Sequence, residues 1–433
     1  MRTRERRSPV AFWLRRTTAA GALGLAAFYA YGAAKYRRTA KTGYGFADPP
    51  APGSAEFSRL VESLTGAPLR AGNRVRVLRN GCRTFPAMLG AIASATTTID
   101  FSSYIYWPGH ITDEFTAALV ERARAGVEVN VAFDGWGSAK LDRETVKTLE
   151  DSGVKVIYFR PPRWYTLHKL NNRMHRRLLV VDGKIGFAGG VGIADVWTGD
   201  AEDPEHWRET HVQIEGPAVR DLLGGFLENW TEATQVVLGT IHFPKLASFE
   251  DGIDVQVTRS SAKAGGTAAA LLFYAAIGGA QERLWLTTAY FAPGAAFVDL
   301  LGDAAQRGVD VRILVNGPNI DKEVVRRTAQ RCYGTLLESG VRIFEYQQTM
   351  LHAKVLITDG WANIGSSNLD HRSLGLDDEL NVSVHDPGIV AELANDFLGD
   401  LDASEEFDLA RWKDRSLVKR LAESASDLLR QSF

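Results

Sequence analysis

Two stretches of the sequence share one pattern of polar residues. They read HRRLLVVD at residues 175–182 and HAKVLITD at residues 352–359. In each, a histidine stands two residues before a cation and seven residues before an aspartate, and apolar residues typical of a strand follow the cation. Alternate side chains of an extended strand face the same way, so each histidine is expected beside its cation. An imidazole next to a fixed positive charge favours phosphate chemistry, in which one group attacks or protonates and the other holds negative charge.

The length and composition indicate a globular protein with more than one core. The chain has 433 residues, of which 45% are hydrophobic and 24% are charged. A chain of this length is expected to divide into two lobes. The formal net charge of −2 argues against broad, nonspecific binding of nucleic acid. Cys82 and Cys332 lack metal-ligand spacing, so neither a disulfide framework nor a zinc site is predicted.

The pattern of predicted strands and helices occurs twice along the chain. For example, AGVEVNVAF at 125–133 parallels RGVDVRILV at 307–315, and the two motif histidines lie 352 − 175 = 177 residues apart. Strands that alternate with helices predict an α/β fold. Recurrence of the whole order predicts two copies of one lobe, which we place at residues 74–246 and 247–405.

Both ends of the chain lie outside these repeats. Residues 1–45 are basic and contain an uncharged run at 17–34, which predicts a membrane anchor, with a cleaved signal peptide or a soluble tail as the alternatives. The sequence DPPAPGS at 48–54 predicts a linker over residues 46–73. Residues 406–433 are rich in basic residues and predict a helix that either docks on the second lobe or lies on a membrane.

The motifs and the residues after them resemble the phospholipase D superfamily. GGVGIAD at 189–195 and GSSNLDHRS at 365–373 follow the two motifs and are similar to the corresponding segments of bacterial cardiolipin synthases. The resemblance implies two tandem α/β sandwich lobes that form a pseudo-twofold duplicated domain with one shared active site. It also implies that one histidine attacks phosphorus to give a phosphohistidine while the other protonates the departing alcohol. We assign attack to His175 and protonation to His352.

The cations and acids of the two repeats are candidates for supporting roles. Arg177 and Lys354 can supply positive charge to the phosphoryl oxygens. Each imidazole also needs a carboxylate to hold one tautomer, and the position after each motif makes Glu209 and Glu379 the candidates, with solvated strand-end acids as the alternative.

The remaining candidates follow from position along the strand and from the turns after it. Asp182 and Asp359 belong to the motifs, but they would face the opposite side of a straight strand, so we expect them to anchor the loop after it. Ser366 and Asn368 are candidate donors to phosphate oxygens, with turn capping as the alternative.

The sequence departs from the family pattern at three positions. Arg177 stands where lysine is expected, Gly192 where asparagine often occurs, and Asp377 where asparagine is common. Arginine keeps the charge, but its planar fork is not geometrically equivalent to an ammonium group.

These observations predict a phosphatidyltransferase that joins two phosphatidylglycerols to cardiolipin and glycerol. The rivals are a phospholipase D or phosphodiesterase that transfers to water, a nuclease, and a noncatalytic lipid-binding scaffold.

We expect no cofactor and no catalytic metal, since no carboxylate cluster has metal-ligand spacing. The expected partners are a phospholipid and a membrane, with no nucleic acid. The expected setting is the bacterial cytoplasmic membrane, with an N-terminal anchor and a monomeric active site formed by both lobes.

Removing residues 1–40 tests the predicted anchor. The truncated protein is expected to fold and to act on detergent-dispersed lipid, because both motifs remain. It is expected to act poorly on intact bilayers, because tethering raises the local concentration of enzyme at its substrate. Flotation of the full-length and truncated proteins with anionic vesicles measures the difference. Equal flotation and equal bilayer activity would show that residues 17–34 are not a functional anchor.

Overall fold

The computed structural model describes residues 47–161, 172–261 and 268–413, together with Gly24. The predicted anchor at 17–34 therefore lies outside the described residues except for Gly24, as do residues 414–433. Among the helices that are described, none is both long enough and apolar enough to cross a bilayer.

The helices and strands follow one another in the order that the sequence repeats predict. In chain order they are α1 (Ala55–Thr65), β1 (Leu69–Arg79), α2 (Asn80–Ser94), β2 (Thr98–Ser103), α3 (His110–Arg124), β3 (Glu128–Asp134), α4 (Arg143–Asp151), β4 (Lys155–Phe159), β5 (Leu178–Val181), β6 (Ile185–Gly189), β7 (Thr210–Glu215), α5 (Val219–Thr234), β8 (Ile253–Ser260), α6 (Ala268–Gly279), β9 (Arg283–Thr287), α7 (Ala295–Gln306), β10 (Asp310–Asn316), α8 (Glu323–Glu338), β11 (Arg342–Tyr346), β12 (Val355–Thr358), β13 (Ala362–Gly365), α9 (His371–Gly375), β14 (Glu379–His385), α10 (Pro387–Asp402), β15 (Ser404–Phe407) and α11 (Leu409–Lys413). Short 3-10 turns occur at Asp195–Trp197 and Thr240–His242.

The strand order makes the duplication visible. Strands β1 and β8 pair antiparallel at the centre. Outward from them, the strands follow the order β7, β6, β5, β2, β3, β4 on one side and β14, β13, β12, β9, β10, β11, β15 on the other. Apart from β15, each strand of one repeat occupies the place of its counterpart in the other. The prediction of two tandem α/β lobes related by a pseudo-twofold axis is confirmed.

Parallel strands bring functional loops to one edge of each lobe. Strands β2, β3 and β4 run parallel, as do β9, β10 and β11. The loops after the carboxyl ends of these strands therefore lie side by side. The motif strands β5 and β12 run antiparallel to β2 and β9, so their amino ends, which follow the histidines, lie at this same edge.

The two lobes share an apolar core. One cluster of buried side chains joins both lobes, with Leu178 and Phe226 of the first and Val257 and Leu380 of the second. Two further clusters lie one within each lobe, under the helices that cover its outer face. Burial of one continuous core across both repeats fixes the two lobes against each other.

The prediction of a linker over residues 46–73 is wrong for most of that segment. Helix α1 begins after Ser54, whose hydroxyl accepts the Phe57 backbone N–H, and β1 begins at Leu69. Phe57 is fully buried and packs edge-on against Trp361 with 5.4 Å between the ring centroids. The spacing of apolar side chains in α1 allows this packing, but the preceding prolines obscured it. Helix α1 is therefore part of the second lobe's core, whereas residues 69–73 belong to β1 of the first lobe.

The C-terminal segment docks on the second lobe as far as it is described. Strand β15 pairs with β11, so this lobe extends beyond residue 405. In α11, the Trp412 indole donates to the Gln330 carbonyl at 3.2 Å, and its ring lies where a side chain on Gly334 would otherwise stand. Residues 409–413 therefore dock on the second lobe, which was one of the two predicted alternatives.

The packing of α1 predicts a large effect of the substitution Phe57→Ala. Deleting a fully buried ring costs about 3–5 kcal/mol of unfolding free energy. Glu62→Ala, on the exposed side of the same helix, is the control and should change it by less than about 0.5 kcal/mol. Denaturant unfolding monitored by circular dichroism measures both. Equal stability of the two variants would mean that the segment is a linker after all.

Candidate active site

Each motif places its histidine and its cation in direct contact. The Arg177 guanidinium donates from Nη2 to His175 Nε2 at 3.0 Å, and Lys354 Nζ lies 3.0 Å from His352 Nδ1. All four residues are buried, with at most 7% of their surface exposed. The predicted pairing of imidazole and cation is therefore present in both repeats, although the cation meets a different ring nitrogen in each.

The segments that carry the histidines are fixed by backbone bonds across the lobes. The His175 N–H donates to the Asp378 carbonyl at 2.9 Å, and the His352 N–H donates to the Arg208 carbonyl at 2.7 Å. Asp378 and Arg208 are the residues immediately before Glu379 and Glu209 in sequence. Each motif is therefore aligned against the start of a strand in the opposite lobe.

The carboxylate that orients each histidine also comes from the opposite lobe. His175 Nδ1 lies 2.9 Å from Glu379 Oε1, and His352 Nδ1 lies 2.5 Å from Glu209 Oε2. Both glutamates are fully buried, so the alternative of solvated strand-end acids does not apply. A carboxylate at Nδ1 fixes the tautomer and the plane of the ring, leaving Nε2 for chemistry. Neither repeat can build this pair by itself.

The turn after each motif makes the two pairs unequal. Ser366 donates its hydroxyl hydrogen to Glu379 Oε2 and accepts the Leu380 N–H at 3.1 Å. The equivalent residue in the first repeat is Gly190, where a Cβ would approach Glu209 Oε2 to 2.3 Å. Glycine is required there to make room for Glu209, and it offers no hydroxyl. Glu379 therefore receives a hydrogen bond that Glu209 lacks.

The His175–Glu379 pair favours an ionised carboxylate beside a neutral imidazole. Burial acts to raise the pKa of Glu379, but the contact with His175 and the hydrogen bond from the Ser366 hydroxyl outweigh it, so the pKa is lowered. Burial, followed by the Arg177 charge, lowers the pKa of His175 to about 4. At neutral pH the ring carries its hydrogen on Nδ1, and its Nε2 lone pair accepts from Arg177.

The His352–Glu209 pair favours retention of a proton on the carboxylate. Burial raises the pKa of Glu209 to about 7, although Lys354 and the Thr210 N–H oppose it. Burial and the neighbouring charges of Lys354 and Arg177 lower the pKa of His352 well below its usual value. Burial also lowers the pKa of Lys354 to about 7. A mobile proton near neutral pH is therefore held on this side of the site.

The motif aspartates lie outside the pocket and have a structural role. Asp182 accepts the backbone N–H groups of residues 96–98, and Asp359 accepts those of residues 281–283. These are the segments that enter β2 and β9. The aspartates therefore anchor the loop before the neighbouring strand, which corrects the expectation that they anchor the loop after their own strand. Their contacts give no support for assigning them a chemical role.

A pocket of about 290 Å³ opens onto both histidines. Its lining includes Arg177, Asn368 and several aromatic rings from both lobes. Asn368 also accepts the Tyr290 N–H through Oδ1 at 3.2 Å, so its amide group lies at the wall. Ser366 is not among the lining residues, and its only hydroxyl hydrogen goes to Glu379. Its position therefore supports Glu379 and gives no support to the predicted phosphate contact.

Sequence reasoning missed the aromatic residues around the histidines. Tyr104 and Tyr290 lie just after β2 and β9, with ring centroids 4.9 Å from His175 and 6.5 Å from His352. Trp197 and Trp207 lie 5.2 and 5.6 Å from the His352 ring. The position of the tyrosines after parallel strands was a usable signal, whereas the tryptophans follow β6 in an irregular segment with no such signal.

Two departures from the family pattern have a structural cause. At Gly192, a Cβ would stand 2.9 Å from the Trp197 ring and 3.1 Å from Ile105, so an asparagine would not fit beside this tryptophan. The Asp377 carboxyl lies 3.2 Å from Arg372 Nε, and burial raises its pKa well above the usual value although the Arg372 charge opposes this. Both changes fit the side chains around them.

One group of potential metal ligands overlaps the site. His175, Asp377 and Glu379 offer atoms that all lie within 4.8 Å of one another. These atoms already bond within the protein: Glu379 to His175 and Ser366, and Asp377 to Arg372. The donor set therefore does not fit a resident ion well, and absence of a catalytic metal stays a prediction.

A duplicated α/β fold in which each lobe contributes one histidine to a shared pocket, with a cation in contact with each histidine, defines the phospholipase D class. The family model described as cardiolipin synthase, phospholipase D-like domain, matches residues 88–221 and 273–401. The chain belongs to this family.

Similar proteins come from several bacteria. A cardiolipin synthase of Alkalihalophilus pseudofirmus is 34% identical over 376 residues, which cover 86% of this chain and 74% of that protein. Cardiolipin synthase 2 of Bacillus anthracis is 33% identical over 375 residues, which cover 86% of this chain and 73% of that protein. The crystal structure of phosphatidylserine synthase from Haemophilus influenzae superposes with a TM-score of 0.66 at 14% identity, covering 87% of this chain and 100% of that chain. This last likeness supports the fold.

The Ser366 contact predicts a shift in the pH dependence of activity. Ser366→Ala removes a hydrogen bond that lowers the pKa of Glu379, so the His175–Glu379 pair binds a proton more readily. The acidic limb of kcat/KM should therefore move to higher pH, while the alkaline limb stays in place. Ser367→Ala is the matched control, because the Ser367 hydroxyl contacts Asn381 instead. If the acidic limb is unchanged in Ser366→Ala, the His175–Glu379 pair does not determine the pKa of that limb.

Proposed function

We propose that this chain is a phosphatidyltransferase that joins two phosphatidylglycerols into cardiolipin and releases glycerol. The observation that carries the proposal is the unequal pair of imidazole–carboxylate contacts in one pocket. His175 has an ionised partner, while Glu209 beside His352 has a pKa of about 7. One nucleophile and one proton source are what a displacement at a phosphodiester needs.

In the first step, His175 attacks the phosphorus of the donor lipid through Nε2. Arg177 leaves that nitrogen and donates to the phosphoryl oxygens, where negative charge develops. The bond from phosphorus to the glycerol oxygen breaks, and His352 delivers a proton to that oxygen, drawing on the proton held with Glu209. Glycerol departs, and a phosphatidyl group remains on His175. Glu379 stabilises the positive charge that forms on the His175 ring.

The second step reverses the roles of proton donor and acceptor. A hydroxyl of the second phosphatidylglycerol enters where glycerol left, and the His352–Glu209 pair takes its proton. The oxygen forms a bond to phosphorus, and the phosphorus–nitrogen bond to His175 breaks. Cardiolipin is released with both pairs in their original protonation states. Burial of the site disfavours water as the competing acceptor.

The names of the relatives favour transfer to a lipid over transfer to water. The relatives that cover most of this chain are called cardiolipin synthases. A second phospholipid as acceptor also fits a pocket with many aromatic rings at its wall. We further propose that the protein works as a monomer at the bacterial cytoplasmic membrane, held there by residues 17–34.

Product analysis tests this function directly. Purified protein with phosphatidylglycerol should give cardiolipin and glycerol in about equal amounts. His175→Ala and His352→Ala should each abolish turnover, because each removes one part of the double displacement. His110→Ala, an exposed histidine on α3, is the control and should keep activity. Chromatography of the lipids with an enzymatic glycerol assay measures the result. Phosphatidic acid as the main product would make the chain a hydrolase instead.

A further inference from the structure

Two lysines occupy matching positions at the mouth of the pocket. Lys140 lies six residues after the end of β3 at Asp134, and Lys322 lies six residues after the end of β10 at Asn316. Strands β3 and β10 are counterparts in the two repeats. Both lysines are exposed, and both line the pocket. The duplication therefore places one cation at each side of the opening, in addition to the buried pair at the histidines.

Each of these lysines is positioned by an aromatic ring of the pocket. Lys140 Nζ stands 3.8 Å from the centroid of Trp107, and Lys322 Nζ stands 5.2 Å from that of Tyr290. Such contacts hold an ammonium group over the ring face while leaving its N–H groups free to donate. The Tyr290 hydroxyl donates to both oxygens of Asp321 at 2.9 Å, so the carboxylate next to Lys322 is engaged by the phenol.

Lys322 lies on the side of the site that belongs to His352. Tyr290, on which it rests, has its ring 6.5 Å from the His352 ring. The pKa of His352 is lowered by burial and then by the charges of Lys354, Arg177 and His175. The charge of Lys322 lowers it further. The ammonium group of Lys322 is therefore close enough to act on whatever occupies the space next to His352.

The order of the two displacements determines which ligand enters that space. When His175 attacks in line, the departing glycerol leaves on the side of His352, and the acceptor enters by the same path. The acceptor lipid carries its own phosphodiester one glycerol unit away from the attacking hydroxyl. That second phosphate must come to rest near the His352 side of the opening, outside the buried site.

We propose that Lys322 binds the phosphate of the acceptor lipid and so selects a phosphorylated alcohol over a neutral one. An ammonium group that lies over an aromatic ring can still donate a charge-assisted hydrogen bond to a phosphate oxygen. This inference rests on the proposed function and deepens it, since it names the chemistry by which the second substrate is recognised. Lys140, on the lobe that supplies the nucleophile, takes no part in this selection.

Competition between two acceptors isolates this contact. The protein is given phosphatidylglycerol in neutral detergent micelles together with labelled glycerol. Labelled glycerol competes for the same phosphohistidine and has the acceptor's hydroxyls without its phosphate. The measured quantity is the ratio of cardiolipin to labelled phosphatidylglycerol. A change in folding or in the first step affects both products equally and leaves this ratio unchanged.

Three variants give the expected pattern. Lys322→Met should lower the ratio about tenfold while glycerol exchange continues, and Lys322→Arg should restore it to within about twofold. Lys140→Met, which removes the same charge at the matching position, should leave the ratio within about twofold of the wild type.

Two results would overturn the inference, and a third concerns the reaction itself. A wild-type ratio in Lys322→Met would show that this lysine does not bind the acceptor phosphate. An equal fall in Lys322→Met and Lys140→Met would assign the effect to general attraction of anionic lipid to the pocket mouth. A wild-type protein that exchanges glycerol but forms no cardiolipin would refute the proposed function, and with it the inference that rests on it.

Discussion

The structure depends on two imidazole–carboxylate contacts that cross between the lobes. His175 of the first repeat bonds Glu379 of the second, and His352 of the second bonds Glu209 of the first. All four side chains are buried, so removing one partner of either contact would leave the other buried and unpaired, which is costly. The shared apolar core and the backbone bonds at the start of each motif hold these contacts in place. A single site therefore requires both copies of the repeat.

Duplication gives a site with two similar halves, and small differences between them assign different tasks. Ser366 in the second repeat supports an ionised Glu379, whereas Gly190 in the first leaves Glu209 without that donor. Arg177 meets His175 at Nε2, whereas Lys354 meets His352 at Nδ1. Pairs of titratable groups whose surroundings push their pKa values apart are how one site supplies both a nucleophile and an acid. The chemical roles follow from side chains next to the motifs as much as from the motifs themselves.

Sequence patterns predicted the fold well because the same order of strands and helices occurs in both repeats, so that each copy supports the assignment of the other. Alternating strands and helices, the recurrence and the paired motifs led to two α/β lobes and to two histidines and two cations that the structure brings into contact. The sequence could not predict that Glu209 and Glu379 each contact the histidine of the opposite lobe, because matching positions in two repeats do not determine how the lobes pack together. Helix α1 was missed because prolines and glycines on either side outweighed its apolar face. The tryptophans near His352 were missed because the segment between β6 and β7 contains only a short 3-10 turn and has no periodicity.

A phosphodiester with a p-nitrophenol leaving group tests the crossed pairing most directly. Such a leaving group needs no acid, so the first displacement requires His175 and its orienting carboxylate alone. Rapid mixing measures the burst of p-nitrophenol that accompanies formation of the phosphohistidine. The crossed pairing predicts that Glu209→Gln keeps this burst and that Glu379→Gln loses it. A burst that survives Glu379→Gln and disappears in Glu209→Gln would contradict the account in which Glu379, across the lobes, orients His175 as the nucleophile.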